Sequence, residues 1–246
     1  MNWFDGRLAA FDIETTGTSI ESDRIVTAAV SMVGGGEEPV SRNWLVDPGI
    51  TIPAEATEVH KITNQMVQAE GVPAAQAAEE ITSMLAEALE NEIPIIAFNA
   101  RFDLTILDRE ARRYGVMPLV DRVGGPDGLL VVDPYVLDKQ VNRFRKGRRN
   151  LGLLCEAYRV PLTSAHAADA DALAAARLAW RMGTTYPELG DVEIFELHEQ
   201  QIVWAREQAA SLQSHFAEQG RPERVEGAWP VVPVGQPVEF EDRLAA

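Results

Sequence analysis

Short apolar runs of strand length recur along the first half of the chain, with Ala-rich stretches of helical period between them. This alternation limits the fold more than any other feature. Leu8 to Ile13 reads as a buried strand, and Arg24 to Val33 and Arg42 to Val46 as two more. The turn Gly34-Gly35-Gly36 between the latter two predicts an antiparallel pair. Ile93 to Phe98 and Leu129 to Val132 are further short strands. Pro73 to Glu92 carries Ile81, Met84, Leu85 and Leu89 at helical spacing. Asp103 to Tyr114 reads as a helix closed by Gly115 and Pro118, and Leu151 to Tyr158 and Asp169 to Met182 as two others. Strands alternating with helices imply an α/β fold with a sheet covered on both faces, and the glycine turn makes that sheet mixed. The expectation is a five-stranded sheet flanked by helices.

The C-terminal part reads differently. Asp191 to about Gln219 is one long helix, with Ile194, Leu197, Ile202, Trp204, Ala205, Ala209, Leu212 and Phe216 over half its circumference. An apolar face this wide is buried against something, either the chain's own body or another subunit. Residues 221–246, rich in proline and charge, read as an irregular tail. The expected division is therefore 1–186 and 187–246, the second part being a helical extension.

Composition narrows the setting. No run of about 18 apolar residues occurs, so no membrane span is expected. The N-terminus has no basic patch followed by an apolar stretch, so no secretory signal is expected. Cys155 is the only cysteine, which excludes an internal disulfide, suits a small core residue and fits a reducing, cytoplasmic compartment. The net charge of −16 argues against strong non-specific binding to nucleic acid. Within this acidic chain Arg143, Arg145, Lys146, Arg148 and Arg149 form one locally basic stretch, expected to contact phosphates beside a substrate path.

Three segments carry the chemistry. Asp12 and Glu14 are alternate residues at the end of the first strand, so both carboxylates project from one face. That strand is too apolar for a sheet edge. Two acids held there repel each other and lose solvation, and a divalent cation relieves both costs. An ordinary turn with strand-end acids fits the same residues. Thr15-Thr16-Gly17 follows as a turn able to meet a substrate. The same Asp-x-Glu spacing at Asp108/Glu110 and Asp191/Glu193 falls on helices, where i and i+2 diverge, and reads as solvated surface. The second segment, Asn99 through Asp103 with Phe102, directly follows an apolar run. It suits a site at the carboxyl end of a strand, or simple helix capping. The third places His166 in a loop before a helix that carries Asp169 and Asp171, only one of which can face the sheet. His166 suits proton transfer near neutral pH, and a surface histidine beside first-turn acids is the bland alternative. Asp133 reads as structural and Asp138 as a surface residue. The tryptophans read as packing.

The three segments together resemble the DEDDh exonucleases of the DnaQ-like superfamily, which includes polymerase III epsilon-type proofreading subunits, RNase T and oligoribonuclease. The match runs through Asp12-Ile13-Glu14-Thr15-Thr16-Gly17, then Asn99 to Asp103, then His166, Ala168 and Asp171 as H-x-A-x-x-D. Val59-His60-Lys61-Ile62-Thr63 resembles the family's intervening segment, with Lys61 where many relatives have glycine. The resemblance covers roughly residues 7–184. It implies a ribonuclease-H-like fold and two ions, Mg²⁺ or Mn²⁺, held by Asp12, Glu14, Asp103 and Asp171. His166 would take a proton from the attacking water. Thr15, Thr16, Gly17, His60, Asn99 and Phe102 would contact substrate.

The implied activity is 3′–5′ hydrolysis of single-stranded or frayed nucleic acid, with release of nucleoside 5′-monophosphates. Two alternatives are a proofreading-type subunit acting mainly through a DNA polymerase and an RNA-trimming exoribonuclease. The 191–219 helix is the expected surface for a polymerase or for self-association, with no membrane involved. Because all motif residues precede Gly183, a chain ending near Tyr186 is expected to keep its metal-dependent activity per folded molecule while becoming less soluble through newly exposed apolar surface.

Overall fold

The computed structural model describes residues 2–162 and 166–235. Its strands are β1 (Arg7–Thr15), β2 (Ile25–Gly34), β3 (Val40–Asp47), β4 (Val72–Pro73), β5 (Ile95–Ile96) and β6 (Val131–Val132). The helices are α1 (Ala54–His60), α2 (Asn64–Glu70), α3 (Ala74–Glu90), α4 (Ala100–Arg113) and α5 (Leu119–Arg122), then α6 (Pro134–Val141), α7 (Leu151–Tyr158), α8 (Ala168–Thr185), α9 (Pro187–Gly190) and α10 (Ile194–Glu218). The strands form one sheet in the order β4-β3-β2-β1-β5-β6. Strands β1, β2 and β3 run antiparallel in sequence, whereas β5 pairs parallel with β1, and β6 with β5.

This is the expected mixed α/β architecture of ribonuclease-H-like kind, with six strands rather than five. The extra strand is Val72–Pro73, which pairs parallel with Val46 and Asp47. Two residues, one of them proline, carry no alternation from which a strand could be read. The most apolar strand, β1, lies inside the sheet between β2 and β5. Its residues alternate between two layers. Phe11 and Ile13 join Ile81 and Leu85 of α3 and Leu104 and Leu107 of α4 in one buried cluster. On the other face, Ala10 meets Ala29 of β2 and Ala168, Ala172 and Ala176 of α8. Those three alanines recur every four residues, so one small-residue stripe lets α8 lie close against the sheet. Asp12 and Glu14 continue this α8 face.

The long C-terminal helix docks on the chain's own body. Strand β6 is at the sheet's edge, where the Val131 and Asp133 backbone groups have no neighbouring strand. Side chains of α10 take that place. His198 Nδ1 accepts from the Val131 amide at 3.1 Å, Gln201 Nε2 donates to the Val131 carbonyl at 3.0 Å, and Gln201 Oε1 accepts from the Asp133 amide at 2.8 Å. Between α10 and residue 235 the chain forms neither helix nor strand, yet Trp229 and Val232 are buried in the core. Among the described residues no helix is long and apolar enough to cross a membrane.

Three acids lie where the sequence did not suggest. Asp108 and Glu110 are buried rather than solvated. Asp108 pairs with Arg109 and Arg112, and Glu110 with Arg113 and Arg24, which satisfies charge that helical spacing alone would send to solvent. Asp138, expected at the surface, is fully buried and holds Arg149 at 2.8 Å and the Tyr158 hydroxyl at 2.8 Å. Asp191 and Glu193 are exposed, as expected.

Candidate active site

The carboxyl ends of β1 and β5 and the N-terminal turns of α4 and α8 meet at one place. Strand β1 supplies Asp12 and Glu14, which pair in register with Ala29 and Thr27 of β2. Helix α4 begins just past β5 and brings in Asp103, whose Oδ1 accepts from the Ile13 amide at 3.2 Å. This bond ties α4 to the middle of the Asp-x-Glu pair. Helix α8, drawn in by its alanine stripe, brings in Asp171. Asp171 Oδ2 accepts from the His166 amide at 2.9 Å, while its buried Oδ1 has no hydrogen-bond partner among the described residues. Ligand atoms of Glu14, His166 and Asp171 lie within 4.8 Å of one another. His166 is exposed and left-handed at φ 65°, next to a segment outside the described residues. Asp169, two residues before Asp171, points to solvent.

The electrostatics follow from crowding. Burial pushes the Asp12 carboxyl well up, and Asp103, Asp171 and Glu14 push it further. Glu14 is raised to about 7 by burial and then by Asp171. Burial raises Asp103 as well, against the pull of backbone amides including that of Ile13, with Asp133 and Glu14 adding repulsion. Burial also raises Asp171, opposed by the His166 amide and ring. Four acids that resist ionisation together, with one buried oxygen left over, form a donor set of hard oxygens that fits a divalent cation.

The residues expected to contact substrate divide. His60 is buried, and its Nδ1 accepts from the Ile62 amide at 3.0 Å, so the neutral ring carries its proton on Nε2, on the side of the Thr15 backbone. Burial lowers its pKa, the Thr15 backbone raises it, and the nearby His166 lowers it again. His60 therefore stands beside both Thr15 and His166. Lys61 adopts φ 66°, which accounts for glycine being suited to that position. The Thr15 hydroxyl donates to the Gly17 carbonyl at 2.6 Å. Thr16 is buried, and its hydroxyl donates to Asp23 and accepts from the Arg24 amide, so it serves the turn. Gly17 allows Asp23 to close that turn, because a Cβ there would meet the Asp23 carboxylate at 2.6 Å. Asn99 is left-handed at φ 60° and its side chain makes no capping bond, while Phe102 is half-buried against the core.

Sequence reading missed Asp23, which no motif marks. It also credited the basic stretch with five free cations. Arg145 and Arg149 are half-buried and reach Asp138, so only Arg143, Lys146 and Arg148 are exposed, around a Phe144 that is 92% exposed. Cys155 is a buried core thiol, pushed up to about 11 mainly by burial.

Comparison with known proteins adds an independent line. Residues 9–179 match the RNase T family, described as exonuclease. The PolC-type DNA polymerase III of Clostridium perfringens is 32% identical over 123 residues, covering 49% of this chain and 8% of the polymerase. Its Staphylococcus aureus counterpart is 29% identical over 188 residues, covering 76% of this chain and 12% of the polymerase. The chain thus spans a small fraction of the length of these relatives. Among solved structures, E. coli exonuclease I with a dT13 oligonucleotide aligns at a TM-score of 0.60 and 21% identity, over 75% of this chain and 42% of that one. Exonuclease I from Methylocaldum szegediense aligns at 0.60 and 20% identity, over 82% and 43%. At these identities the structural likeness speaks to the fold.

Proposed function

Because the chain belongs to the RNase T exonuclease family, we propose that it is a 3′–5′ exonuclease of DEDDh type, acting on single-stranded or frayed ends and releasing nucleoside 5′-monophosphates. The observation that carries this reading is the convergence of Asp12, Glu14, Asp103 and Asp171 from three elements, with Asp171 Oδ1 lacking a partner among the described residues. These four would hold two ions, Mg²⁺ or Mn²⁺. Such ions supply Lewis acidity at the scissile phosphate and activation of water. The protein's own groups do the rest. His166, exposed at the rim with Glu14 and Asp171 beside it, accepts the proton of the attacking water. His60, whose Nε2–H is turned toward the Thr15 backbone beside His166, is placed to contact the terminal nucleotide. Thr15, Gly17, Asn99 and Phe102 would contact the terminal nucleotide, with Thr16 fixing the turn that carries Thr15 and Gly17.

Arg143, Lys146 and Arg148, with Phe144 among them, provide a place for strand phosphates and a base. The single-strand preference is supported by the oligonucleotides bound to exonuclease I. The PolC-type relatives favour a second reading, action beside a DNA polymerase, for which the exposed Phe195 and Val203 of α10 are the candidate contact. A cytoplasmic setting accords with the lone, buried Cys155.

The direct test is degradation of 5′-labelled single-stranded DNA and RNA oligomers with Mg²⁺, Mn²⁺ or a chelator. Stepwise shortening from the 3′ end, abolished by the chelator, is expected. Shortening from the 5′ end, or cleavage indifferent to the chelator, contradicts the reading.

A further inference from the structure

The C-terminal segment does more than cover the sheet edge. Asp133, 1% exposed, follows β6 and accepts four hydrogen bonds. Its Oδ1 takes the Asn99 and Tyr135 amides, each at 2.9 Å. Its Oδ2 takes the Ala100 amide at 3.0 Å and the Trp229 indole Nε1–H at 3.2 Å. Asn99 is the N-cap and Ala100 the first residue of α4, and the Asn99 side chain makes no cap of its own. A side chain from another strand end therefore satisfies the amides with which α4 starts. The position of Asp133 is in turn set from the C-terminal segment: Gln201 accepts from its amide, Trp229 donates to its carboxylate, and His198 packs against Trp229 with the rings tilted and 5.3 Å between centroids.

The tail holds α4 a second way. Arg101 donates to the Glu226 carbonyl at 2.5 Å, Thr105 Oγ1 accepts from the Val232 amide at 3.0 Å, and Arg109 donates to the Pro233 carbonyl at 3.4 Å. Residues 101, 105 and 109 lie on one stripe of α4, so residues 226–233 run along the helix as a strap. One turn from the clamped end, Asp103 meets the Ile13 amide between Asp12 and Glu14.

We propose that Gln201 and Trp229 are positioning residues for the candidate active site: through Asp133 they fix the start of α4, and thereby the place where Asp103 meets β1. The proposal rests on the reading of Asp103 as a metal-binding carboxylate. Groups that orient metal ligands from behind typically change metal affinity or activity by about 10- to 100-fold when removed. Here the lever acts through a helix turn, so the lower end applies.

The test uses the full chain with Trp229→Phe, which keeps a ring against His198 and removes only the indole donor, and Gln201→Met, which removes the partner of the Asp133 amide. Trp180→Phe, on the exposed side of α8, is the control. Five quantities are measured: kcat and KM on a single-stranded oligomer, Mn²⁺ affinity by calorimetry, melting temperature, and exchange of the Ile13 amide by NMR. Trp229→Phe and Gln201→Met are each expected to lower kcat by about tenfold with KM within twofold, weaken Mn²⁺ binding, and speed Ile13 exchange relative to neighbouring β1 amides. A lower melting temperature with unchanged kcat, Mn²⁺ affinity and Ile13 exchange would mean that the segment only stabilises the fold, and would overturn the proposal. If wild-type protein neither cleaves nor binds Mn²⁺, the exonuclease reading has failed. Ile13 exchange still decides the positioning claim in that case, with unchanged exchange overturning it.

Discussion

At the scale of single residues, the site is a store of unfavourable charge. Asp12 is pushed up by burial and by three acidic neighbours, so removing its carboxylate relieves the others. Asp12→Ala should abolish cleavage while leaving the ion-free protein as stable as wild type, or more so. Cleavage assays and thermal denaturation in chelator check this, with the exposed Asp191→Ala as a variant of unchanged rate. Near-normal cleavage by Asp12→Ala would remove the acids from the chemistry. The same crowding sets a pH dependence. Glu14 is raised to about 7, so between its ordinary value and that point the folded chain holds a proton that the unfolded chain has released. The stability that Glu14 contributes to the ion-free protein is therefore fully present below about pH 4.5 and is lost as pH rises to about 7. The decline should be roughly 1–3 kcal/mol, several degrees of Tm. Mn²⁺ at pH 7.5 should restore it, since a ligand that binds only the folded state stabilises that state. A melting temperature that rises over this range without metal would contradict the picture. The acids of the site were legible because two of them end an apolar strand and the others open helices. Asp108, Glu110 and Asp138 were not. Their burial depends on arginines as distant in sequence as Arg24, and no local pattern records such a pairing.

At the scale of elements, β1, α3, α4, α7 and α8 were readable because each has a period or a clear stop. Strand β4 was not, and α6 was hidden behind Asp133, which caps it by accepting from the Tyr135 amide. The loop between α6 and α7 shows how charge counting and structure combine. Asp138 takes Arg145 and Arg149 out of play, which anchors the loop and turns Arg143, Lys146 and Arg148 outward. Each phosphate contact made with a single strand contributes about 0.7 to the salt slope of binding. Replacing these three by glutamine should therefore lower the slope of log Kd against log salt by up to about two. Fluorescence anisotropy in chelator measures this apart from catalysis. An unchanged slope would place the loop away from the strand. Phe144→Ala should weaken binding by about 1–3 kcal/mol without changing the slope, because stacking releases no counterions.

At the scale of the whole molecule, the positions of the motifs suggested that everything after Gly183 lies outside the chemistry. The geometry adds a structural role, since α10 supplies the partners of three backbone groups at β6. Leaving such groups buried and unmet costs about 1–3 kcal/mol each. A chain ended at Tyr186 should accordingly melt far below the full chain or fail to stay in solution. A truncated protein that melts and cleaves like the full chain would refute this. Amphipathic period showed that α10 must be covered, but it could not show that the helix covers something in return. A sheet whose last strand is already met by His198 and Gln201 offers no free ladder on that side, so a partner cannot add a strand next to the candidate site. Among the described residues the outer side of β3 at Val40–Asn43 is the stretch left open, since β4 meets β3 only at Val46 and Asp47. Any association by strand addition is thereby directed to the far rim of the sheet, and the end where nucleic acid would enter is left to contacts made by loops and helices.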